Sequence, residues 1–527
     1  LGGRRMSVSG IIENIVRHHL SLYEEQSCHF CLAQCSEKSN QTIPEMINFR
    51  FITNIIGKLL FVESAFLILC IIVALIYGEN DLMAFVYSVI VTLGVGSLMT
   101  FTVKVKDRVL AKKDGYFIVT CTWIIFTIFG CLPYLFGGTI PSVVDAIFET
   151  MSGFTTTGSS VINNVEALPH AALFLRSLTQ WMGGMGIIVL LLAIIPGLGI
   201  EGRDLFVAEV PGPTHDKFTA TFKSTARRMW YLYISLTAAQ AILLLLGNMD
   251  LFDAICHSFT TMATGGYSTK QASIAYWDSA YIQYVVIIFM FIAGTNFGLL
   301  YVILHGKFRK LFHDEEFKLY LYITLGASTI IAIVLFLNGY ANLELSIRES
   351  IFQVVTILTT TGFATADYLL WPPLTGAIIF ALLFIGACAG STSGGLKCIR
   401  LNLLFKNSFI EMKRIIHPNG IINVKYNGKS VHPNIMTGVM GFFILYIFIF
   451  AISSLIMSLF TQDIVTACSA AISSMSNVGP GFGGIGPMDN FANLHDFAKI
   501  FLSILMMVGR LEIFTVLVLF SKIFWKK

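Results

Sequence analysis

Ten apolar stretches, each about 20 residues or longer, punctuate the chain at residues 52–77, 82–102, 117–137, 172–199, 228–247, 280–304, 318–338, 374–396, 434–460 and 497–524. A helix of about 20 residues reaches across the hydrocarbon core of a bilayer, so the pattern predicts ten spanning helices. Four amphipathic pieces lie between them, at residues 143–156, 250–263, 347–360 and 464–476. These are too short to cross and predict half-crossing, re-entrant helices. Each runs into a stretch rich in threonine, serine and glycine: FETMSGFTTTGSS (148–160), HSFTTMATGGYST (257–269), FQVVTILTTTGFATAD (352–367) and AAISSMSNVGPGFG (470–483). Such composition is poor for helix, so the half-helices are expected to end there.

The order spanning helix, half-helix, polar glycine loop, spanning helix recurs about every hundred residues, from Gly158 to Gly266, Gly362 and Gly479. The expected architecture is an all-α polytopic membrane protein. Four pseudo-repeats surround one ion pathway, and two additional helices lead. The expected divisions are a cytoplasmic segment at 1–48, the two additional transmembrane helices at 49–114, and pore repeats at 115–216, 217–312, 313–430 and 431–527.

Composition agrees with a lipid environment: 55% of residues are hydrophobic, 13% charged, and the mean hydropathy is +0.75. A soluble domain cannot hide so much apolar surface. The net charge of +4 matters less than its placement. Basic residues collect at Lys104–Lys113, Lys217–Arg228, Lys307–Lys310, Lys406–Lys429 and Lys522–Lys527, while the glycine loops hold almost none apart from Lys270. By the positive-inside tendency the glycine loops face outward and both termini are cytoplasmic. Nothing in the pattern supports nucleic-acid binding.

Non-helical backbone at membrane depth is tolerated only inside protein or along a water-filled cavity. Four such segments therefore imply a shared aqueous pathway. Glycine allows successive carbonyls to turn toward one axis, where rings of carbonyls replace the hydration shell of a monovalent cation. The candidate cation-binding residues are Thr156, Thr157 and Gly158; Thr264, Gly265 and Gly266; Thr360, Thr361 and Gly362; and Asn477, Val478 and Gly479. A single such run would be read as helix packing. Four in matching context are not explained that way.

Two further constellations lie in apolar segments. GACAGSTSGGLK (386–397) interrupts a predicted span with Gly386, Gly390, Gly394 and Gly395, and reads either as a closely packed kinked helix or as an intramembrane loop. The order Gly390, Gly395, Lys397 is a near-miss for a phosphate loop, because Leu396 separates the required Gly-Lys pair. Arg510 stands inside the last span, either as a functional charge or as half of a structural ion pair. Glu512, two positions on, points away from it on a helix.

The cluster Cys28, His29, Cys31 and Cys35 lacks a second ligand pair at zinc spacing, so free thiols are expected. The opening LGGRRM has no adjacent long apolar core and does not read as a secretory signal; residues before Met6 read as extraneous to the native start.

SGFTTTGSS, TTMATGGYST, TTTGFATAD and SNVGPGFG, with LTQWMGGMGI, GACAGSTSGGLK and GRLEIFTVLVLF, resemble the Trk, Ktr and HKT superfamily of potassium transporters, and specifically its TrkH-type branch. The resemblance runs from about residue 50 to the end, and the two leading helices are similar to that branch. It implies a selectivity filter of four non-identical loops with one glycine each: Gly158, Gly362, Gly479 and, because Tyr267 follows it as Phe363 follows Gly362, Gly266, with Gly265 as the rival. Glycine rather than serine at 158 goes with potassium. The resemblance further implies a gate formed by Gly386, Gly390, Gly394, Gly395 and Lys397 with Arg510 projecting toward it. It implies a homodimer in the bacterial cytoplasmic (inner) membrane with a TrkA-type cytosolic ring. It implies a nucleotide (ATP/ADP or NAD) on that partner and no cofactor bound by this chain.

Two functions stay open on the residues: a gated, channel-like potassium pathway, and a secondary transporter coupling potassium or another solute to sodium or protons. The carboxylates, apart from Glu512, are expected mainly at loop margins, which favours the first. No enzyme site emerges.

Overall fold

The computed structural model describes residues 47–103, 112–184, 186, 222–340, 342–418, 420 and 422–525. The folded unit runs from Asn48 to Trp525. The expectations for Cys28, His29, Cys31, Cys35 and the residues before Met6 lie outside the described residues.

The unit opens with α1 (Phe49–Tyr77) and α2 (Leu82–Phe101), packed side by side. Asn48 caps the first by accepting from the Phe51 N–H at 3.1 Å, and Gly78 ends it with φ +65°. The first repeat comprises α3 (Lys112–Gly130), the short α4 (Leu132–Gly137), α5 (Val143–Phe154) and α6 (His170–Gly184). The second comprises α7 (Phe222–Leu246), α8 (Leu251–Met262), α9 (Ala280–Ala293) and α10 (Phe297–Leu304). The third has α11 (Glu315–Leu337), α12 (Leu343–Leu358), α13 (Pro373–Leu382) and α14 (Cys398–Ile416). It is followed by a two-residue hairpin, β1 (Lys425–Tyr426) and β2 (Lys429–Ser430). Asn427 and Gly428 both take positive φ in that turn, as a tight hairpin requires. The fourth repeat is α15 (Pro433–Met457), α16 (Ile464–Ser476), α17 (Asp496–Arg510), α18 (Phe514–Phe520) and α19 (Lys522–Trp525).

Among the described residues, six helices are long and apolar enough to cross a membrane, or eight if each of two bent pairs counts as one span. The expectation of ten continuous spans is corrected at three places. The span expected at 172–199 is helical as far as Gly184, and beyond it all but Gly186 lies outside the described residues. At 280–304, Gly294, Thr295 and Asn296 break the helix and α10 leaves α9 at 105°. Asn296 starts it anew by capping the Leu299 N–H at 3.0 Å. At 374–396, α13 stops at Leu382, before the glycine-rich run. In the last span, α17 and α18 meet at 115° around Glu512, whose φ is +51°.

The half-helices α5, α8, α12 and α16 form the buried centre. Each begins on a side-chain cap: Ser142, Asp250, Asn342 and Asp463 accept from the first turn. The long helices surround them with one face inward; the apolar window of α15 is only 28% buried within the protein. Their remaining apolar faces match lipid.

Candidate functional site

All four half-helices end in the same way. The N–H of Thr156, Thr264, Thr360 and Asn477 reaches back three residues, and the next N–H, of Thr157, Gly265, Thr361 and Val478, reaches back five, to Ser152, Thr260, Thr356 and Ser473 at 2.8–2.9 Å. This is a Schellman closure, which demands a left-handed residue. That residue is Thr156 (φ +53°), Thr264 (+52°), Thr360 (+57°) or Asn477 (+57°). A β-branched residue in this region is strained, and here three threonines accept the strain.

Two residues further on stands a second left-handed position, held by Gly158 (φ +85°), Gly266 (+78°), Gly362 (+81°) and Gly479 (+101°). Alternating backbone hand cancels the strand's alternation of carbonyl direction, so neighbouring carbonyls turn to one side. Gly266, and not Gly265, thus shares the register of the other three.

The loops close on one another. A methyl group added at Gly158 would lie 2.2 Å from the carbonyl oxygen of Gly265. At Gly266 it would lie 1.9 Å from that of Thr361, at Gly362 2.2 Å from that of Val478, and at Gly479 2.6 Å from that of Thr157. Each glycine abuts the carbonyl just before the glycine of the next loop, and the fourth returns to the first. All four glycines also line one open cavity, which Arg176, Lys270 and Asp489 help to border.

Side chains behind the ring fix it. Gln180 of α6 donates from Nε2 to the Gly265 carbonyl (2.6 Å) and accepts from the Tyr267 N–H (3.0 Å). Asn477 donates to Thr157 Oγ1 (3.0 Å) and to the Met506 carbonyl (2.9 Å). The Tyr267 hydroxyl donates to the Glu149 carbonyl at 2.8 Å. Glu149 and Arg176 make an almost wholly buried ion pair at 2.9 Å. Arg176 also donates to the Ser268 carbonyl (3.0 Å) and stacks over the Tyr267 ring.

Residues 383–397 are not a kinked helix. They form a loop closed at its neck by the Gly386 N–H donating to the Leu396 carbonyl (2.8 Å), with Gly390 and Gly395 at φ +70° and +66°. The loop meets the ring at threonines that precede its glycines: the Gly394 N–H donates to Thr360 Oγ1 (2.7 Å), and Thr264 Oγ1 lies 3.3 Å from Thr392 Oγ1. Gly386 admits no side chain, because a methyl there would sit 2.0 Å from the Gly394 carbonyl. Arg510, the last residue of α17, donates to the Thr392 carbonyl (2.6 Å) and to those of Gly183 (2.7 Å) and Gly184 (3.0 Å). Lys397 is buried and donates back to the Ser393 carbonyl and hydroxyl. Glu512 pairs with Arg400 instead of Arg510.

The expectation that carboxylates lie at loop margins is corrected. Glu63 (2% exposed) in the middle of α1, Glu149 (1%) within α5 and Glu316 (4%) in the first turn of α11 are buried where neighbouring elements pack over them. Sequence reading also missed Gln180, the Glu149–Arg176 pair and the hydroxyl six residues before every ring glycine. The last carried a signal, since Ser152, Thr260, Thr356 and Ser473 stand at one constant offset.

Residues 81–527 match the family model TrkH, described as a cation transport protein. The chain is 40% identical over 485 residues to "Trk system potassium uptake protein TrkH" of Escherichia coli (strain K12), covering 91% of this chain and 100% of that protein. It is 36% identical over 482 residues to "Trk system potassium uptake protein TrkG" of the same strain, covering 90% and 99%. The crystal structure of the potassium transporter TrkH from Vibrio parahaemolyticus superposes with a TM-score of 0.82 at 36% identity, covering 91% of this chain and 100% of that one. This chain belongs to the TrkH family of cation transport proteins: it is a multi-pass membrane transporter and not an enzyme.

Proposed function

We propose that this protein takes up potassium across the bacterial cytoplasmic (inner) membrane through a gated, channel-like pathway, with the four glycine loops as its selectivity filter. The observation that carries the reading is the closed ring in which each loop's glycine abuts the next loop's carbonyl. Backbone carbonyls turned to one axis replace the hydration shell of a large monovalent cation. The potassium uptake named for the relatives supports the choice of ion. Loop 383–397 and Arg510, lying against the inner side of this ring, act as the gate. The working assembly in this reading is a homodimer on a TrkA-type cytosolic ring whose nucleotide, ATP/ADP or NAD, sets the open fraction.

Ion flux in proteoliposomes under a clamped diffusion potential, with potassium, rubidium, caesium, sodium and lithium supplied in turn, tests the proposal. Potassium and rubidium are expected to pass well ahead of sodium and lithium. Equal passage of all five would remove the filter. The second reading, transport coupled to sodium or protons, is favoured by the buried carboxylates Glu63 and Glu316. Potassium accumulation against its own gradient, driven by an imposed proton or sodium gradient, would establish it.

A further inference from the structure

The intramembrane loop is gripped at both shoulders by one carboxylate. Glu316, in the first turn of α11, accepts through Oε1 from the Ala389 N–H at 2.7 Å and from the Ile399 N–H at 3.0 Å. Ala389 begins the arm leading to the loop's tip, and Ile399 lies in the first turn of α14, just past its other end. The start of α14 has no cap of its own: Lys397 stands at the N-cap position without a side-chain cap bond and donates to Ser393 instead. Glu316 supplies the missing acceptor from another helix. That oxygen meets the otherwise unpaired N–H groups at the start of α14.

The neighbours of Glu316 reach elsewhere. Asp314 accepts from Asn427 Nδ2 in the hairpin turn (2.8 Å), and Glu315 pairs with Lys406 on α14 (2.6 Å). Three consecutive acids thus tie the hairpin, α14 and the loop to one helix end.

We propose that Glu316 is a positioning residue that keeps the loop against the inner side of the glycine ring, with Thr392 beside Thr264 and within reach of Arg510. The inference rests on the reading of this loop as the gate. Without the carboxylate, the Ala389 and Ile399 N–H groups lose their acceptor in a buried site. The loop then loses its preference for the obstructing position.

Partner-free rubidium flux in proteoliposomes tests this for Glu316→Ala, Glu316→Gln and, as a control on the gate itself, Arg510→Ala. N-ethylmaleimide labelling mapped by mass spectrometry reports the loop directly, because Cys388 lies within it, Cys398 stands just past its end, and both are buried. Buried Cys70, Cys131 and Cys256, far from the loop in sequence, report the integrity of the fold. Glu316→Ala is expected to raise flux about tenfold and to expose Cys388 while those three stay protected. Glu316→Gln keeps an acceptor oxygen and is expected to give a clearly smaller rise. Parental flux in Glu316→Ala beside a raised flux in Arg510→Ala overturns the assignment, as does an equal rise in the Ala and Gln variants. Parental flux in both Glu316→Ala and Arg510→Ala overturns the gate reading itself and this inference with it. If Glu316→Ala exposes the three control cysteines, Glu316→Asp decides. Its carboxylate is withdrawn by one methylene, so raised flux supports the role and parental flux overturns it.

Discussion

Arg510 holds the carbonyl of Thr392 at 2.6 Å, so the half-buried cation that ends α17 is fastened to the tip of the loop in the third repeat. The same guanidinium binds the carbonyls of Gly183 and Gly184 at the end of α6. It is therefore both a positive charge beside the proposed pathway and a clasp joining three repeats.

Removal of that charge is expected to raise partner-free potassium flux. A unit charge about 4 Å from an entering cation opposes it by about 4 kcal/mol at an effective dielectric of about 20, and water in the pathway lowers the figure. A rise of about tenfold in Arg510→Ala is a conservative expectation. Arg510→Lys separates the two roles, because it keeps the charge and gives up the planar fork that serves three carbonyls. Flux that stays low in the Lys variant identifies the charge as the barrier; flux as high as in the Ala variant identifies the clasp. Combining Arg510→Ala with a deletion inside residues 386–395 should gain much less than the sum of the two effects if both act on one barrier. Flux equal to the parent in every variant would leave Arg510 as a structural charge.

Serine at any of Gly158, Gly266, Gly362 or Gly479 is expected to reduce the preference for potassium over sodium. Gly266→Ser is the sharpest case, since its Cβ would enter within 1.9 Å of the Thr361 carbonyl oxygen at a backbone φ of +78°. The carbonyl must turn or retreat, and either movement changes the ring. A tenfold loss of selectivity corresponds to about 1.4 kcal/mol, a modest demand on such a clash. The reversal potential under bi-ionic conditions measures it. Unchanged selectivity in all four variants would remove the ring from ion discrimination.

The half-helices and the left-handed glycines were legible in the sequence because both rest on local rules. A stretch of 12 to 16 residues cannot cross a bilayer, and a glycine in the polar run behind it marks a backbone conformation that other residues avoid. The aromatic after Gly266 favoured it with Gly265 as the rival, and the positive φ at Gly266 puts it in register with the other three. The breaks at Gly294–Asn296 and at Leu511–Ile513 were hidden, because each is a few residues long between apolar runs and a window of spanning length stays apolar across it. The grip of Glu316 on Ala389 was hidden for another reason: 73 residues separate the partners, and no local period connects them. Glu149 and Arg176, 27 residues apart, share no local signal that would join them.

That pair carries its own prediction. Breaking a buried ion pair by removing one partner costs about 3–5 kcal/mol, because the other charge remains without compensation. Glu149→Gln and Arg176→Met are each expected to lower stability by about that amount in a denaturant titration of purified protein. The double variant should be more stable than the sum of the two losses implies, since it leaves no orphan charge. Strict additivity would show that the contact contributes nothing beyond its separate parts, including the Arg176 bond to the Ser268 carbonyl.

Acid is expected to loosen the contact between the α1–α2 turn and the start of α6. Glu79 accepts from the His170 N–H (2.9 Å) and the Ala171 N–H (3.3 Å), and lies 2.7 Å from His170 Nδ1. Partial burial pushes its carboxyl upward, but the His170 and Ala171 donors outweigh burial and hold it below the usual carboxylate range. A depressed carboxylate contributes stability that is present above its unfolded value, about 4.3, and is lost as pH falls through the lower folded value. Stability should therefore rise from about pH 3 to about pH 5 through this group and then level off. Asp81, two residues on, works in the opposite sense, because burial and the nearby Glu79 charge raise it. Its contribution is present in acid and is lost as pH rises through the raised value. The two are separated by variants, not by the parent's profile alone. Glu79→Gln should flatten the acid limb, with its largest loss relative to the parent above about pH 5. Asp81→Asn should steepen the limb by removing the opposing group. A Glu79→Gln profile parallel to the parent's from about pH 3 to about pH 6 would show that the ionised carboxylate does not secure this contact.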